Sequence, residues 1–379
     1  MLEIREVKTR AEQRAFLNFP LKLYKDCPYF VPPLYGDEKK MFRPDYVYYD
    51  TCDTVFFNAY RDGRQTGRIQ GIIQRAANEK NGEKRARFTR FDSINDAETA
   101  EALFSAVENW AKSKGMNAVH GPLGFSDLER EGLLIEGFSE LSTFEEQYSY
   151  DYYPALIEGR GYCKEVDWVE RKVFKPDKPD PRFKELSNYL LKRHKLHFGE
   201  AKNTREFIEL YGDKIFELLD ISYKDIYGTV PFTDGMKRML IGNFKLMINL
   251  KQVAVILDEN ERAVCFGVCF PSIARAVQPS GGRLTPLALI RILRAVKRPR
   301  IIDLGLVGVL PEYAQTGVSS AIISGVVDIL NQESVEYAET NLNLEDNYNI
   351  QNQWKRFKTV VHKRRRAYVK YLNGENKDD

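Results

Sequence analysis

The sequence predicts an α/β protein with a mixed sheet in each of two tandem domains, and three observations lead to this prediction. Its 379 residues exceed the roughly 150 that are typical of one domain. Apolar residues make up 43% and charged residues 29% of the chain, which is ordinary for a protein with a packed core. The same order of elements, a hairpin followed by a strand, a helix and a strand, can be read in each half.

In the first half, a hairpin precedes an amphipathic helix. The alternating segments DTVFFNAY and QTGRIQGIIQRA flank a turn at residues 61–64. Apolar residues then recur at helical spacing, which predicts a helix over residues 97–114. We expect Asn95 and Glu98 to form the capping box of this helix, and a strand at residues 117–120 to follow it.

The second half repeats this order. The segments QVAVILD and AVCFGVCF flank a turn at residues 259–261, and the apolar Cys265 and Cys269 are expected in the core. A helix is predicted from about Gly317 to Leu330, followed by a strand. The halves share little sequence identity, so their relation rests on the order of elements.

A proline-rich segment, FKPDKPDPRF, predicts the domain boundary. Its three prolines remove backbone donors and disfavour helix in the residues before them. We expect a first domain over residues 1–175, a linker over 176–182, a second domain over 183–372 and a disordered tail over 373–379.

Composition and charge exclude several classes of protein. The 57 Lys and Arg residues exceed the 54 Asp and Glu residues by only three, which argues against nucleic acid as the partner. The five cysteines form no CxxC pair, and the charged start MLEIREVKTR does not resemble a secretory leader. No apolar run reaches the ~20 residues of a transmembrane helix. We therefore expect a cytoplasmic protein.

The most informative segment is IIDLGLVGVLPEYAQTGVSSAIISGVVDIL, residues 301–330. Its strand changes phase between Leu306 and Val307, which predicts a β-bulge that frees backbone groups for a ligand. Pro311 ends the strand, and the small residues of the next loop let backbone amides approach an anion at the helix N-terminus.

This segment resembles the CoA-binding signature of the GCN5-related N-acetyltransferase (GNAT) superfamily, V-x-P followed by [RQ]-x-x-G-x-[GA]. The match includes Val309, Pro311 and Gly317, whereas Ala314 and Ser319 depart from it. The segments FLNFPLKLYKDCPYFVPPL, VHGPLGFSDLEREGLLIEGF and YYPALIEGRGYCKEVD, and the closing stretch from ETNLNLEDN, are similar to a bacterial subgroup of uncharacterised double-domain acetyltransferase-like proteins.

The resemblance implies two tandem GNAT-like domains, of which the first lacks a phosphate loop. It implies an N-acyltransferase, most simply an N-acetyltransferase, that moves an acyl group from acetyl-CoA or another acyl-CoA to an amine or lipid-like acceptor. The residues expected to hold the donor through backbone and side chain are Leu306, Val307, Val309, Gln315, Thr316, Gly317, Val318, Ser319, Ser320 and Asn347.

The catalytic groups are less well matched. The superfamily motif N-x-x-[AG]-x-x-x-Y has Asn347 in place, but Trp354 replaces the tyrosine that protonates the thiolate. We consider Tyr348 and Tyr313 as substitutes, and the candidates for the general base are Asp303 and Glu345. No metal site is expected, because His194 and His197 lack a third ligand nearby in sequence.

Two alternatives remain open at this point. The departures from the motif favour a catalytically degenerate GNAT fold that serves binding or regulation. The basic clusters at residues 291–300 and 363–366 are either solvated faces or docks for an acidic carrier protein, the CoA 3′-phosphate or anionic lipid headgroups. An acyl-carrier-protein or aminoacyl-tRNA donor is the corresponding enzyme alternative.

Overall fold

The computed structural model describes residues 1–176, 181–244 and 249–373. By internal contacts the chain divides into a first unit (Met1–Val169, Ala274–Ile292 and His362–Asp379) and a second unit (Glu170–Ile273 and Leu293–Val361). The predicted linker includes residues 177–180 and the predicted tail includes residues 374–379. Both of these stretches lie outside the described ranges.

The first 174 residues contain seven strands and five helices in the described ranges. The strands are β1 (Leu2–Glu6), β2 (Cys52–Arg61), β3 (Arg64–Gln74), β4 (Arg85–Ser93), β5 (Ala118–Gly121), β6 (Leu133–Glu136) and β7 (Cys163–Phe174). The helices are α1 (Arg10–Leu23), α2 (Tyr35–Lys40), α3 (Arg75–Asn81), α4 (Ala97–Ser113) and α5 (Tyr153–Glu158).

The rest of the described chain continues in the same mixed order. Its helices are α6 (Pro181–Arg193), α7 (Thr204–Ser222), α8 (Asp234–Phe244), α9 (Ala274–Val277), α10 (Pro286–Lys297), α11 (Ser319–Leu330) and α12 (Tyr348–Gln353). Its strands are β8 (His197–Phe198), β9 (Val253–Leu257), β10 (Ala263–Pro271), β11 (Ile301–Val309), β12 (Tyr337–Thr340), β13 (Asn343–Leu344) and β14 (Lys358–Tyr371). None of the helices in the described ranges is both long and apolar enough to cross a membrane.

The first unit is built on the sheet β1-β2-β3-β4-β5-β14. Strands β4 and β5 are parallel, whereas β14 runs antiparallel to β5. The predicted hairpin is confirmed, and its turn residues Asp62 and Gly63 have φ angles of 50° and 80°, as the right-handed twist of the strands requires. Helix α4 covers this sheet with a buried apolar side.

The start of α4 differs from the sequence prediction. Asp96, and not Asn95, is the N-cap residue, and its carboxylate accepts from the Thr99 amide at 3.0 Å. A carboxylate also pairs with the positive end of the helix dipole, which an asparagine amide cannot do.

The second unit contains the sheet order β8-β9-β10-β11-β12-β7. The predicted hairpin of β9 and β10 is confirmed, as is the burial of Cys265 and Cys269. Helix α11 packs closely on β10. The contact at Gly267 leaves no room for a side chain, since a Cβ there would lie 2.4 Å from the side chain of Ile322. The apolar side of α11 and Ile302 of β11 belong to one core cluster.

Three elements cross the division between the units. Strand β7 passes from the first unit to the second, and β14 passes from the second to the first. Helix α10 crosses between Ile292 and Leu293. Each unit is therefore assembled from segments that are far apart in the sequence.

Candidate functional site

Strand β11 carries a bulge at Gly305. The residues on either side of Gly305 pair with the consecutive residues Cys269 and Val268 of β10, which leaves Gly305 without a counterpart. A Cβ at this position would lie 2.6 Å from the ring of Phe270. The bulge is confirmed, but its predicted position at residues 306–307 is wrong, because the close approach of the ring can be accommodated only at the glycine.

One edge of β11 is open beyond this bulge. The parallel pairing with β12 ends at Leu304, and the described strands provide no partner on that side for the rest of β11. Residues 303–307 are all partly exposed, although β11 is an interior strand of its sheet. An extended ligand can bind such an edge by adding to the sheet as a strand does.

The strand of the first unit that corresponds to β11 is β4, and the equivalent edge of β4 is closed. Strand β4 also bends at a bulge, where Arg90 has a φ of 46°. Beyond the bulge, Gln147 donates to the carbonyl of Phe91 at 3.3 Å, and the hydroxyl of Tyr153 accepts from the amide of Ser93 at 3.0 Å. Every residue of β4 after the first is buried. The chain itself thus occupies this edge.

A loop of small residues joins β11 to α11. Gly317 has a φ of 80°, a left-handed conformation that glycine adopts without strain. The amides of Thr316 and Ser320 donate to carbonyls within the loop. Those of Gln315, Gly317 and Ser319 donate to no acceptor among the described residues. They lie at the N-terminus of a helix of 12 residues, where amides and helix dipole favour an anion.

Two of the predicted loop residues face the protein interior. Val318 is buried, and the hydroxyl of buried Ser320 lies 3.4 Å from that of Ser187 on α6. The amide of Val318 lies 3.4 Å from the hydroxyl of Thr316, which is long for a hydrogen bond. These side chains hold the loop on the core.

Carboxylates meet near the start of β11. Asp303 stands directly opposite Glu339 in the register between β11 and β12. Glu339 is buried, and its carboxylate lies within 4.8 Å of that of buried Glu170 on β7. Burial, together with the charge of Asp303, raises the pKa of Cys269 to about 12. The sequence gives no signal for this group, because it depends on the pairing of three separate strands.

A tyrosine hydroxyl reaches the middle of β11. Tyr223 closes the C-terminal end of α7 and donates to the carbonyl of Val307 at 3.0 Å. The neighbouring Gly308 lies so close to α7 that a Cβ there would be 2.9 Å from the hydroxyl of Ser222. The sequence does not predict Tyr223 as a site residue, because 84 positions separate it from Val307.

The other predicted catalytic residues are spread along the second unit. Tyr313 lies beyond the C-terminal end of β11, whereas Asp303 lies near its start. The strand between Asp303 and Val309 is roughly 20 Å long at ~3.3 Å per residue, so the two side chains are far apart. Asn347 caps α12, where its side chain accepts an amide at 3.3 Å. Tyr348 is 72% exposed, and Glu345 is exposed. Of these residues, Asp303 lies beside the open edge.

Trp354 stands where the superfamily motif has tyrosine. It is buried in the core cluster with Ile302 and Phe357, and its indole donates to Asn343 at 2.9 Å. The side chain therefore has a structural role.

The basic cluster at residues 363–366 is partly internal, because two of its cations are buried and Arg364 and Arg366 are half-buried. Lys363 and Arg365 are buried in β14, and Arg366 forms an ion pair with Asp167 at 2.8 Å. The expectation that this cluster is a solvated face or an anion dock is wrong, since these cations belong to hydrogen bonds and ion pairs of the first unit.

Comparison with known structures identifies the fold. No protein-family model matches the chain. The tandem GNAT protein from the clavulanic acid biosynthesis pathway superposes on 99% of this chain and 100% of its own, with a TM-score of 0.57 and 11% identity. The chain has the tandem GNAT fold. A probable N-acyltransferase from Enterococcus faecalis V583 superposes on 98% of this chain and 73% of its own, with a TM-score of 0.53 and 9% identity.

Two bacterial proteins resemble the GNAT-fold chain in sequence. Protein YghO of Escherichia coli is 26% identical over 380 residues, which covers 97% of this chain and 95% of YghO. The bacterial ceramide synthase of Caulobacter vibrioides is 26% identical over 315 residues, which covers 80% of each protein. The predicted fold class, with two tandem GNAT-like domains, is confirmed by the structural match.

Proposed function

We propose that the chain is an acyl-CoA-dependent N-acyltransferase whose donor site lies in the second unit. The observation that carries the proposal is the open edge of β11, which leads to the three amides at the start of α11 that have no acceptor among the described residues. An extended donor with an anionic end requires both features. The closed edge of β4 in the first unit supports the same assignment.

The donor would bind mainly through backbone groups. The backbone of residues 306–309 would pair with the pantetheine arm once the Tyr223 hydroxyl leaves the carbonyl of Val307. The amides of Gln315, Gly317 and Ser319 would bind the pyrophosphate. The loss of an arginine or glutamine side chain at Ala314 weakens this contact but leaves the amides in place. The side chain of Asn347 would have to give up its hydrogen bond at the start of α12 to bind the donor. We therefore assign Asn347 a minor role in donor binding.

The reaction needs one proton acceptor and one proton donor. The amine nitrogen attacks the thioester carbon, a C–N bond forms, the C–S bond breaks, and the nitrogen loses a proton while the thiolate gains one. Asp303, acting through water, is our candidate base, with Glu339 beside it. We assign proton donation to Tyr223, whose hydroxyl lies on the open edge where the thioester would be held.

The name of a relative supports one class of acceptor. The similar protein of Caulobacter vibrioides is named a bacterial ceramide synthase. We therefore propose a lipid-like amine as the acceptor and an acyl-CoA as the donor. The carrier-protein and aminoacyl-tRNA alternatives lose support, since Lys363 and Arg365 of one basic cluster are buried and Arg366 is paired with Asp167.

The experiment measures acyl transfer by the purified full-length chain. Acetyl-CoA and longer acyl-CoAs are incubated with a short polyamine, an aminosugar and a long-chain amino alcohol, and the amide is detected by mass spectrometry. We expect the long-chain amine to be acylated, with loss of activity in Asp303→Asn. Asp328→Asn is the control, because Asp328 forms an exposed ion pair with Lys184 on the same unit. Binding of acyl-CoA without transfer to any amine would favour the catalytically degenerate alternative.

A further inference from the structure

Helix α10 turns an apolar side toward solvent. Its buried side consists of only Ala288 and Ile292. On a surface helix of a globular protein the apolar residues normally face the core instead. The large apolar side chains that this helix exposes are Leu287 (55%), Leu289 (39%), Ile290 (45%) and Leu293 (60%), with Leu284 (50%) just before it.

Cations alternate with these apolar side chains on the exposed side of the helix. Arg291, Arg294 and Arg298 are spaced by three and four residues and lie in line with Leu287. Lys297 follows Leu293 by four residues and lies beside it. These four cations form no ion pair with any carboxylate in the described parts of the chain. The sequence has no Asp or Glu between Ser272 and Ile302.

We propose that α10 docks on an anionic lipid bilayer and lies in the plane of its surface. The exposed leucines and isoleucine would enter the acyl boundary while the cations contact lipid phosphates. Long cationic side chains suit this position, since their stems are apolar and their heads reach the phosphates. The 12-residue helix is only about 18 Å long, which fits an in-plane orientation.

Other occupants fit these observations less well. A two-fold contact between copies through α10 would bring the four cations of each copy together. An acidic protein would satisfy the cations but does not account for the exposed apolar side chains. The proposal goes beyond the acyltransferase function and rests on exposure and charge alone, so vesicle binding tests it whether or not the chain transfers acyl groups.

The experiment is vesicle flotation with the full-length chain. Vesicles of phosphatidylcholine are compared with vesicles that also contain phosphatidylglycerol, at low and high salt. We expect binding to the anionic vesicles that weakens with salt. The double variant Arg294→Gln/Lys297→Gln should lower the partition coefficient about twenty-five-fold, since each cation contributes about fivefold. Leu287→Gln/Leu293→Gln should lower it by about tenfold or more, because the buried leucine area is lost.

Matched controls come from other exposed helices. Leu210→Gln on α7 removes an exposed leucine, and Lys192→Gln/Arg193→Gln on α6 removes two exposed cations. Both should bind vesicles as the wild type does, and circular dichroism checks that every variant is folded. The proposal is overturned if the wild type does not bind anionic vesicles, or if the controls lose binding as the α10 variants do. A dimer in light scattering that only the leucine variants dissociate, without vesicle binding, would assign the face to a second copy and also overturn it.

Discussion

Gly317 allows the loop at the start of α11 to present its amides. Its φ of 80° disfavours any other residue, and a Cβ there would lie 3.1 Å from Leu190. We expect Gly317→Ala to lower the free energy of unfolding by about 1–2 kcal/mol, the cost of a left-handed conformation. It should also weaken acyl-CoA binding, because the neighbouring amides would shift.

The matched control for this substitution is Gly325→Ala. Gly325 lies within α11 with open space around its Cα, so alanine should raise stability by about 0.5–1 kcal/mol and leave donor binding unchanged. Urea unfolding and calorimetry provide the two readouts. If Gly317→Ala binds acyl-CoA as tightly as the wild type, the loop is not the pyrophosphate site.

Substitution of Tyr223 tests its assignment as the proton donor. Tyr223→Phe removes the hydroxyl that reaches Val307 and should reduce kcat by about 10²-fold with little change in KM for the donor. Tyr348→Phe should leave kcat unchanged, because Tyr348 is 72% exposed at the start of α12. The reverse pattern in steady-state kinetics would transfer the role to Tyr348.

At the scale of elements, the burial of β10 separates the cysteines by reactivity. Burial raises the pKa of both Cys265 and Cys269 to about 12, so neither forms the reactive thiolate at neutral pH. Cys163, at the start of β7, is exposed. Mass spectrometry after brief alkylation should find Cys163 modified and the two β10 residues unmodified. Alkylation of Cys269 at a comparable rate would show that β10 is not buried in solution.

The elements that local sequence specifies were predictable. The two hairpins follow from alternation around polar turns, and α11 follows from apolar spacing after the loop at Gly317. The fold class follows from their order together with the family motif. These features depend on residues within about one element of each other, which a sequence pattern records directly.

Features that depend on packing between distant segments were not predictable. The site of the bulge is decided by the ring of Phe270 against Gly305, and the phase of hydrophobic residues does not contain that contact. The reach of Tyr223 to β11 and the grouping of Glu170 with Glu339 likewise require the folded sheet. The buried Lys363 and Arg365 look like a surface cluster in sequence, because their partners lie far away along the chain.

At the scale of the whole molecule, half-buried carboxylates couple stability to pH. Burial raises the pKa of Glu145 to about 7, and the charge of Arg130 opposes this only in part. The folded state therefore gains stability from neutral Glu145 below the ordinary pKa of 4.5, and this gain is lost as the pH rises to about 7. Glu145→Gln should be more stable than the wild type above neutral pH by about 1–3 kcal/mol, with the difference vanishing in acid.

Substitution of Glu38 provides a control in which the expected change in stability has the opposite sign. Burial alone would raise the pKa of Glu38, but the charge of Arg90 outweighs burial and lowers the pKa to about 2. Glu38→Gln should therefore destabilise the protein at neutral pH by about 3 kcal/mol, because buried Arg90 would lose its bidentate carboxylate and keep only Gln70 and the more distant Glu129. Urea unfolding of both variants across the pH range is the measurement. Parallel curves for Glu145→Gln and the wild type would contradict the raised pKa.

The central claim is that the second unit binds an acyl-CoA donor along β11 and at the start of α11. Calorimetric titration of the full-length chain with acetyl-CoA and longer acyl-CoAs tests it most directly, with Gly317→Trp as the blocked variant and Gly325→Ala as the control. The account predicts one donor per chain for the wild type and the control, and none for Gly317→Trp. Absence of binding by the folded wild type, or equal binding by Gly317→Trp, would contradict it.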